Sequence, residues 1–110
     1  MRRSMRYNYF FTEKAENDLD GIIKYISVNL ANKSAAQNFF VKVFENVETI
    51  CAYPETGLLI NNEYVADKGV RRVLIDNYVM YYKTDADNKH IYIVRILYGK
   101  RNLTEIIKEL

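Results

Sequence analysis

The chain has 110 residues, 49% hydrophobic and 27% charged, with a formal net charge of +2 at pH 7. That size fits one domain, residues 1–110, and the composition excludes wholesale disorder. A single cysteine (Cys51) and a single histidine (His90) exclude an internal disulfide and leave no zinc-ligand set, so neither metal nor cofactor is expected.

In chain order, Arg6 to Phe11 is aromatic-rich and loosely alternating, which predicts a first strand. Thr12 is placed to cap a helix that begins at Glu13, and Glu16 adds favourable negative charge to its first turn. Ala15, Leu19, Ile22, Ile23, Ile26 and Leu30 recur at helical spacing and predict one apolar stripe. Gly21 weakens that helix by up to ~1 kcal/mol relative to alanine, so packing must hold it. Asn32-Lys33 makes a short connection, and Ser34-Ala35-Ala36-Gln37 predicts a capping box with Ser34 as N-cap. Phe40, Val43, Phe44, Val47, Ile50 and Cys51 extend a second helix toward Ala52, where Tyr53-Pro54-Glu55-Thr56-Gly57 stops it. So short a connection predicts an antiparallel helical hairpin.

Residues 58–68 have weak periodicity and read as a loop. Val70 to Ile75 and Tyr78 to Lys83 predict two strands joined by a tight Asp76-Asn77 turn. After a second turn at residues 85–88, His90 to Tyr98 is the most hydrophobic strand, apolar on both faces and so expected at the centre of the sheet. Leu103, Ile106, Ile107 and Leu110 predict a short final helix. The fold class is α+β, with the helical hairpin packed on one face of a small, mainly antiparallel sheet. No apolar run approaches the ~20 residues of a membrane span. The basic start, Met1 to Arg6, leads into too short a stretch for a signal peptide, so the chain reads as cytoplasmic.

Charge is distributed unevenly. Residues 1–67 carry seven Lys/Arg against nine Asp/Glu, whereas residues 68–110 carry nine against five. The basic excess therefore lies in the C-terminal strands, where an anionic partner would be met. Arg71 and Arg72 open the first strand of the hairpin, Arg95 sits inside the last strand, and Lys100 and Arg101 follow it in a Gly-Lys-Arg turn. An arginine within a buried strand is costly to desolvate, so Arg95 needs either a ligand or an internal acid. Catalytic alternatives are thin. His90 follows a turn and reads as exposed, Asp18 and Asp20 or Glu45 and Glu48 read as solvated helix faces, and the four glycines form no phosphate loop.

Five segments together resemble a known family. They are residues 15–26 of the first helix, the Tyr53–Gly57 turn, Val70-Arg71-Arg72, Tyr78-Val79-Met80-Tyr81-Tyr82, and Ile93 through Asn102. The pattern is similar to the RelE/ParE superfamily of bacterial type II toxins, also called plasmid stabilisation proteins, and it covers nearly the whole chain. The resemblance implies a growth-inhibiting toxin held inactive by a cognate antitoxin. One branch of that family enters the ribosome and cuts mRNA; the other is understood to poison DNA gyrase.

Carried over by position, Arg101 matches the arginine of the family's Gly-Lys-Arg turn, and Arg72 a basic position in the strand before the hairpin. Both would be catalytic if the chain were RelE-like. Two positions depart from the mRNA-cutting branch: Val79 stands where it has an arginine, and Ile107 where it has its C-terminal aromatic acid/base. Loss of a proton-transfer group costs about 10²–10⁴-fold in rate, so the ParE-like branch is favoured. The resulting expectations are a gyrase-directed toxin, with a ribosome-dependent mRNA endoribonuclease and an inactive antitoxin-binding relic as alternatives. Arg71, Arg72, Arg95, Lys100 and Arg101 are the expected target- or nucleic-acid-binding residues. Phe39, Phe40, Leu58 and Leu59, with the segment on to residue 65, supply apolar surface for the antitoxin.

Overall fold

Thr12 ends the first strand and starts the first helix. Its hydroxyl accepts from the Ala15 N–H at 3.1 Å and donates to the Val94 carbonyl at 3.1 Å, so one side chain caps a helix and ties it to the last strand. The structure is a computed structural model that describes residues 6–60, 69–101 and 106. In chain order it contains β1 (Asn8–Phe11), α1 (Glu13–Lys24), a π-helical turn (Tyr25–Asn29), α2 (Lys33–Ala52), β2 (Leu58–Leu59), β3 (Val70–Ile75), β4 (Tyr78–Asp85) and β5 (His90–Tyr98). The strands form one sheet in the order β1-β5-β4-β3-β2, with β1 parallel to β5 and the remaining pairs antiparallel. This is the expected α+β arrangement.

The main core lies between the helices and one face of the sheet. Ala15, Leu19 and Ile22 of α1 and Phe39, Val43, Val47 and Ile50 of α2 pack against Met80, Tyr82, Ile91, Ile93 and Ile96. A second, smaller cluster covers the opposite face, where Ile60 and Ile106 lie over Val70, Val79, Tyr81 and Leu97. The two clusters explain why β5 is apolar on both sides. A bulge explains why its alternation is irregular. Tyr81 pairs with Arg95 but Tyr82 with Ile93, so Val94 is an extra residue and the inward positions switch from odd (Ile91, Ile93) to even (Ile96).

Several boundaries differ from the sequence expectations. The N-cap of α2 is Asn32, whose side chain accepts from the Ala35 N–H at 2.9 Å, in place of Ser34. Leu30 leaves the apolar stripe and is exposed. The Leu30 N–H bonds back to the Tyr25 carbonyl five residues earlier, which widens and underwinds the last turn, and Ala31 then turns the chain at a left-handed φ of 49°. Leu58 and Leu59 form a short edge strand on β3, because a segment placed beside unpaired β3 groups gains a ladder there. The middle strand of the sheet is β4, with β5 beside it. Residues 1–5, 61–68 and most of the expected final helix, Ile107 included, lie outside the described residues.

Candidate functional site

Arg95 is claimed by an acid. Its Nε donates to Asp18 Oδ2 at 2.7 Å and its Nη2 to Asp18 Oδ1 at 3.0 Å, and Oδ2 also accepts the Ile96 N–H at 3.0 Å. The two side chains are only 13% and 14% exposed. Asp18 lies three residues after Ala15 and four before Ile22, which puts it on the sheet-facing stripe and not on a solvated helix face. This pairing gives Arg95 a place in the fold, where it holds α1 against β5.

Arg71 and Arg72 are adjacent in β3 and so point to opposite faces. Arg71 faces the helices, and its Nη1 donates to the Gly57 carbonyl at 2.8 Å. Beside it the Tyr82 hydroxyl accepts from the Gly57 N–H and donates to the Pro54 carbonyl, both at 2.8 Å. A β-carbon on Gly57 would lie 2.8 Å from the Arg72 carbonyl oxygen and from the Tyr82 ring, so only glycine permits this approach. The Tyr-Pro-Glu-Thr-Gly segment is thus clipped to the sheet by Arg71 and Tyr82. Arg71 therefore has a role in the fold.

Arg72 projects from the other face, exposed, and pairs across the strands with Tyr81. Tyr81 is 2% exposed, yet its hydroxyl makes no hydrogen bond among the described residues. Burial pushes this phenol's pKa above its ordinary 10.0, with the Arg72 and Arg101 guanidinia pulling it back down. Both carried-over arginines therefore act on the same hydroxyl. At neutral pH that group is an uncharged, buried phenol, unsuited to removing a proton. The turn carrying Lys100 and Arg101 is fixed at both ends. The Gly99 N–H donates to the Asn77 carbonyl at 2.8 Å and the Arg101 N–H to the Tyr98 carbonyl at 3.1 Å. Lys100 is exposed in that turn.

Tyr81 was missed in the sequence although a signal existed. The two-residue turn at Asp76-Asn77 sets Ile75 opposite Tyr78, and counting back along the ladder sets Arg72 opposite Tyr81. The remaining candidates separate cleanly. His90 contacts the Tyr92 hydroxyl through Nδ1 at 3.0 Å and meets the Phe10 ring edge-on. It starts β5, about 25 Å of extended strand from the Gly-Lys-Arg turn. Val79 is buried in the second core cluster. Phe39, expected on a docking surface, is 2% exposed in the main core, while its neighbour Phe40 is 41% exposed. A helix turns 100° per residue, so only one of the pair can face outward. Leu58 and Leu59 are both exposed. Among the described residues, no group of three or more His, Cys, Asp or Glu could hold a metal ion, and no helix is long and apolar enough to cross a membrane.

A family model described as the ParE toxin of type II toxin-antitoxin system, parDE, matches residues 9–103. The chain belongs to the ParE toxin family. No curated protein sequence matches it. Among solved structures, this ParE-family chain is similar to a chromosomal ParDE toxin-antitoxin system from P. aeruginosa at 23% identity, covering 86% of this chain and 98% of that one, with a TM-score of 0.67. It is also similar to the RelBE2 toxin-antitoxin complex of Mycobacterium tuberculosis (19% identity, 86% and 99% coverage, TM-score 0.57). A third is the archaeal RelE-RelB complex from Pyrococcus horikoshii OT3 (18% identity, 89% and 100% coverage, TM-score 0.53). These likenesses establish that the ParE-family chain shares the fold common to RelE and ParE toxins.

Proposed function

We propose that this ParE-family toxin inhibits growth by acting on DNA gyrase in the cytoplasm, without cutting RNA, and that a cognate antitoxin neutralises it. The observation that carries the reading is the Arg72–Tyr81–Arg101 group. It offers two exposed cations beside a buried phenol held in its protonated form, so the arginines can meet an anionic surface while the group lacks a member that titrates near neutrality to start phosphodiester cleavage. The one histidine is at the far end of β5, and the position of the RNA-cutting branch's hairpin arginine is a buried valine. An antitoxin partner is supported by the toxin-antitoxin systems from which the similar structures come.

The test is induction in cells with translation, mRNA integrity and the DNA-damage response followed together. The expected result is growth arrest with a damage response, intact mRNA, and loss of arrest in an Arg72→Ala/Arg101→Ala variant that still folds. Rapid loss of translation with codon-phased mRNA cuts refutes the gyrase reading in favour of the ribosome-dependent nuclease. Unchanged growth at full expression refutes both and leaves the antitoxin-binding relic.

A further inference from the structure

The outer side of the helical hairpin carries an apolar surface that the basic group does not use. Tyr9 and Phe11 of β1 and Phe40 and Phe44 of α2 form one continuous set of rings. Phe44 lies 4.9 Å from Phe40, 5.6 Å from Phe11 and 6.1 Å from Tyr9 between centroids. Tyr9 and Phe40 are each 41% exposed and Val41 is 52% exposed. Two shallow hollows flank Phe44. One, of about 440 Å³, lies against Phe40, Val41 and Glu45; the other, of about 280 Å³, lies against Phe11, Glu16 and Asp20. Contiguous exposed aromatics of this kind mark a docking surface, since singly scattered apolar residues would not share rings or hollows.

The rim decides what docks. It is acidic on both helices, with Glu16 and Asp20 on α1 and Glu45 and Glu48 on α2. Glu48 is paired with Arg6. Glu16, Asp20 and Glu45 make no ion pair or side-chain hydrogen bond among the described residues. An acidic segment brought here would meet uncompensated like charge, whereas a basic one would pair with it. We infer that the Tyr9–Phe40–Phe44 surface docks an amphipathic segment of the antitoxin, carrying a few apolar side chains flanked by lysine or arginine. This rests on the toxin reading above and specifies the chemistry of its partner. It also moves the expected contact from Phe39 and Leu58–Leu59 to the opposite edge of the sheet, beside β1.

The test uses the full chain and two synthetic peptides of about 18 residues, long enough to hold a helix. One is an amphipathic leucine–lysine peptide and the other its leucine–glutamate counterpart. Each is titrated at low salt into isotope-labelled protein. The leucine–lysine peptide should shift the amides of Tyr9, Phe40 and Phe44. Its binding should weaken roughly tenfold in the Glu16→Lys/Asp20→Lys/Glu45→Lys variant, through three reversed and exposed charges. Phe40→Ser should weaken it as well, while Leu74→Ser, on the opposite sheet face, should bind like wild type. Equal binding of the leucine–glutamate peptide, shifts confined to other residues, or self-association of the chain through this surface would each overturn the inference. Growth inhibition is scored separately. A chain that inhibits growth but ignores the lysine peptide refutes this docking chemistry alone. Binding without growth inhibition refutes the toxin reading, and with it the antitoxin as occupant.

Discussion

Replacing Asp18 by alanine removes the acceptor of three hydrogen bonds, two from the Arg95 guanidinium and one from the Ile96 N–H. Breaking one side of a buried ion pair costs about 3–5 kcal/mol, because the other charge is left desolvated. The pair keeps a small exposed fringe, so water screens part of that penalty and the expected loss is about 2–4 kcal/mol. In a domain of this size 1 kcal/mol moves the melting temperature by several degrees, so the variant should melt roughly 10–20 °C lower. Removing both charges together, in Asp18→Leu with Arg95→Met, should recover most of the loss. Apolar replacements of a buried pair are often neutral, and the Ile96 N–H, left without its acceptor, costs about 1 kcal/mol. Urea unfolding of the wild type, Asp18→Leu, Arg95→Met and the double variant closes the cycle, and growth arrest on induction reads out function. A loss below about 1 kcal/mol in Asp18→Ala would show that the pair does not anchor α1 to the sheet. A folded double variant that no longer arrests growth would show that Arg95 acts on the target after all.

Tyr82→Phe should cost about 2–3 kcal/mol, since it strips the Gly57 N–H and the Pro54 carbonyl of their shared partner. Gly57→Ala, which drives a β-carbon against the Arg72 carbonyl, should cost at least as much; urea midpoints equal to wild type in both would mean the turn is held by something else. Burial raises the pKa of Tyr81 and Tyr82 above 10.0, so the folded state holds these protons more tightly than the unfolded chain does. Their contribution is complete below about pH 10 and is lost as pH rises through the folded values, at about 1.4 kcal/mol per pH unit for each phenol. Unfolding measured alongside phenolate absorbance from about pH 9 upward checks this; stability that stays flat while the phenols ionise would contradict the sign.

What could be read from the sequence was what depends on near neighbours. Thr12 caps α1 as its position suggests, and the Asp76-Asn77 turn delivers the β3–β4 register. Readings failed where a distant residue decided the outcome. Asp18 looked solvated because its partner is 77 residues away, and Arg71 looked available because the Gly57 carbonyl that takes it is 14 residues earlier in the chain. The Val94 bulge left no compositional mark, since valine suits a regular strand as well as an irregular one. Phe39 and Phe40 are chemically identical, and only the rotation of α2 assigns one to the core and the other to the surface.

The pairing of β1 with β5 has a meaning for how the molecule is made. Asn8 lies beside His90 and Phe11 beside Ile93, so the first strand to leave the ribosome waits for the last. Until β5 emerges, β4 has only β3 beside it and Asp18 lacks Arg95, so the helices cannot be locked down. Such long-range closure is slow relative to hairpins and helices, and the core cannot be completed before β5 has been made. The turn bearing Arg101 follows directly. A chain made only as far as β4 therefore has neither a finished core nor its basic turn, so the cations of that turn are presented only once the sheet that positions them can close.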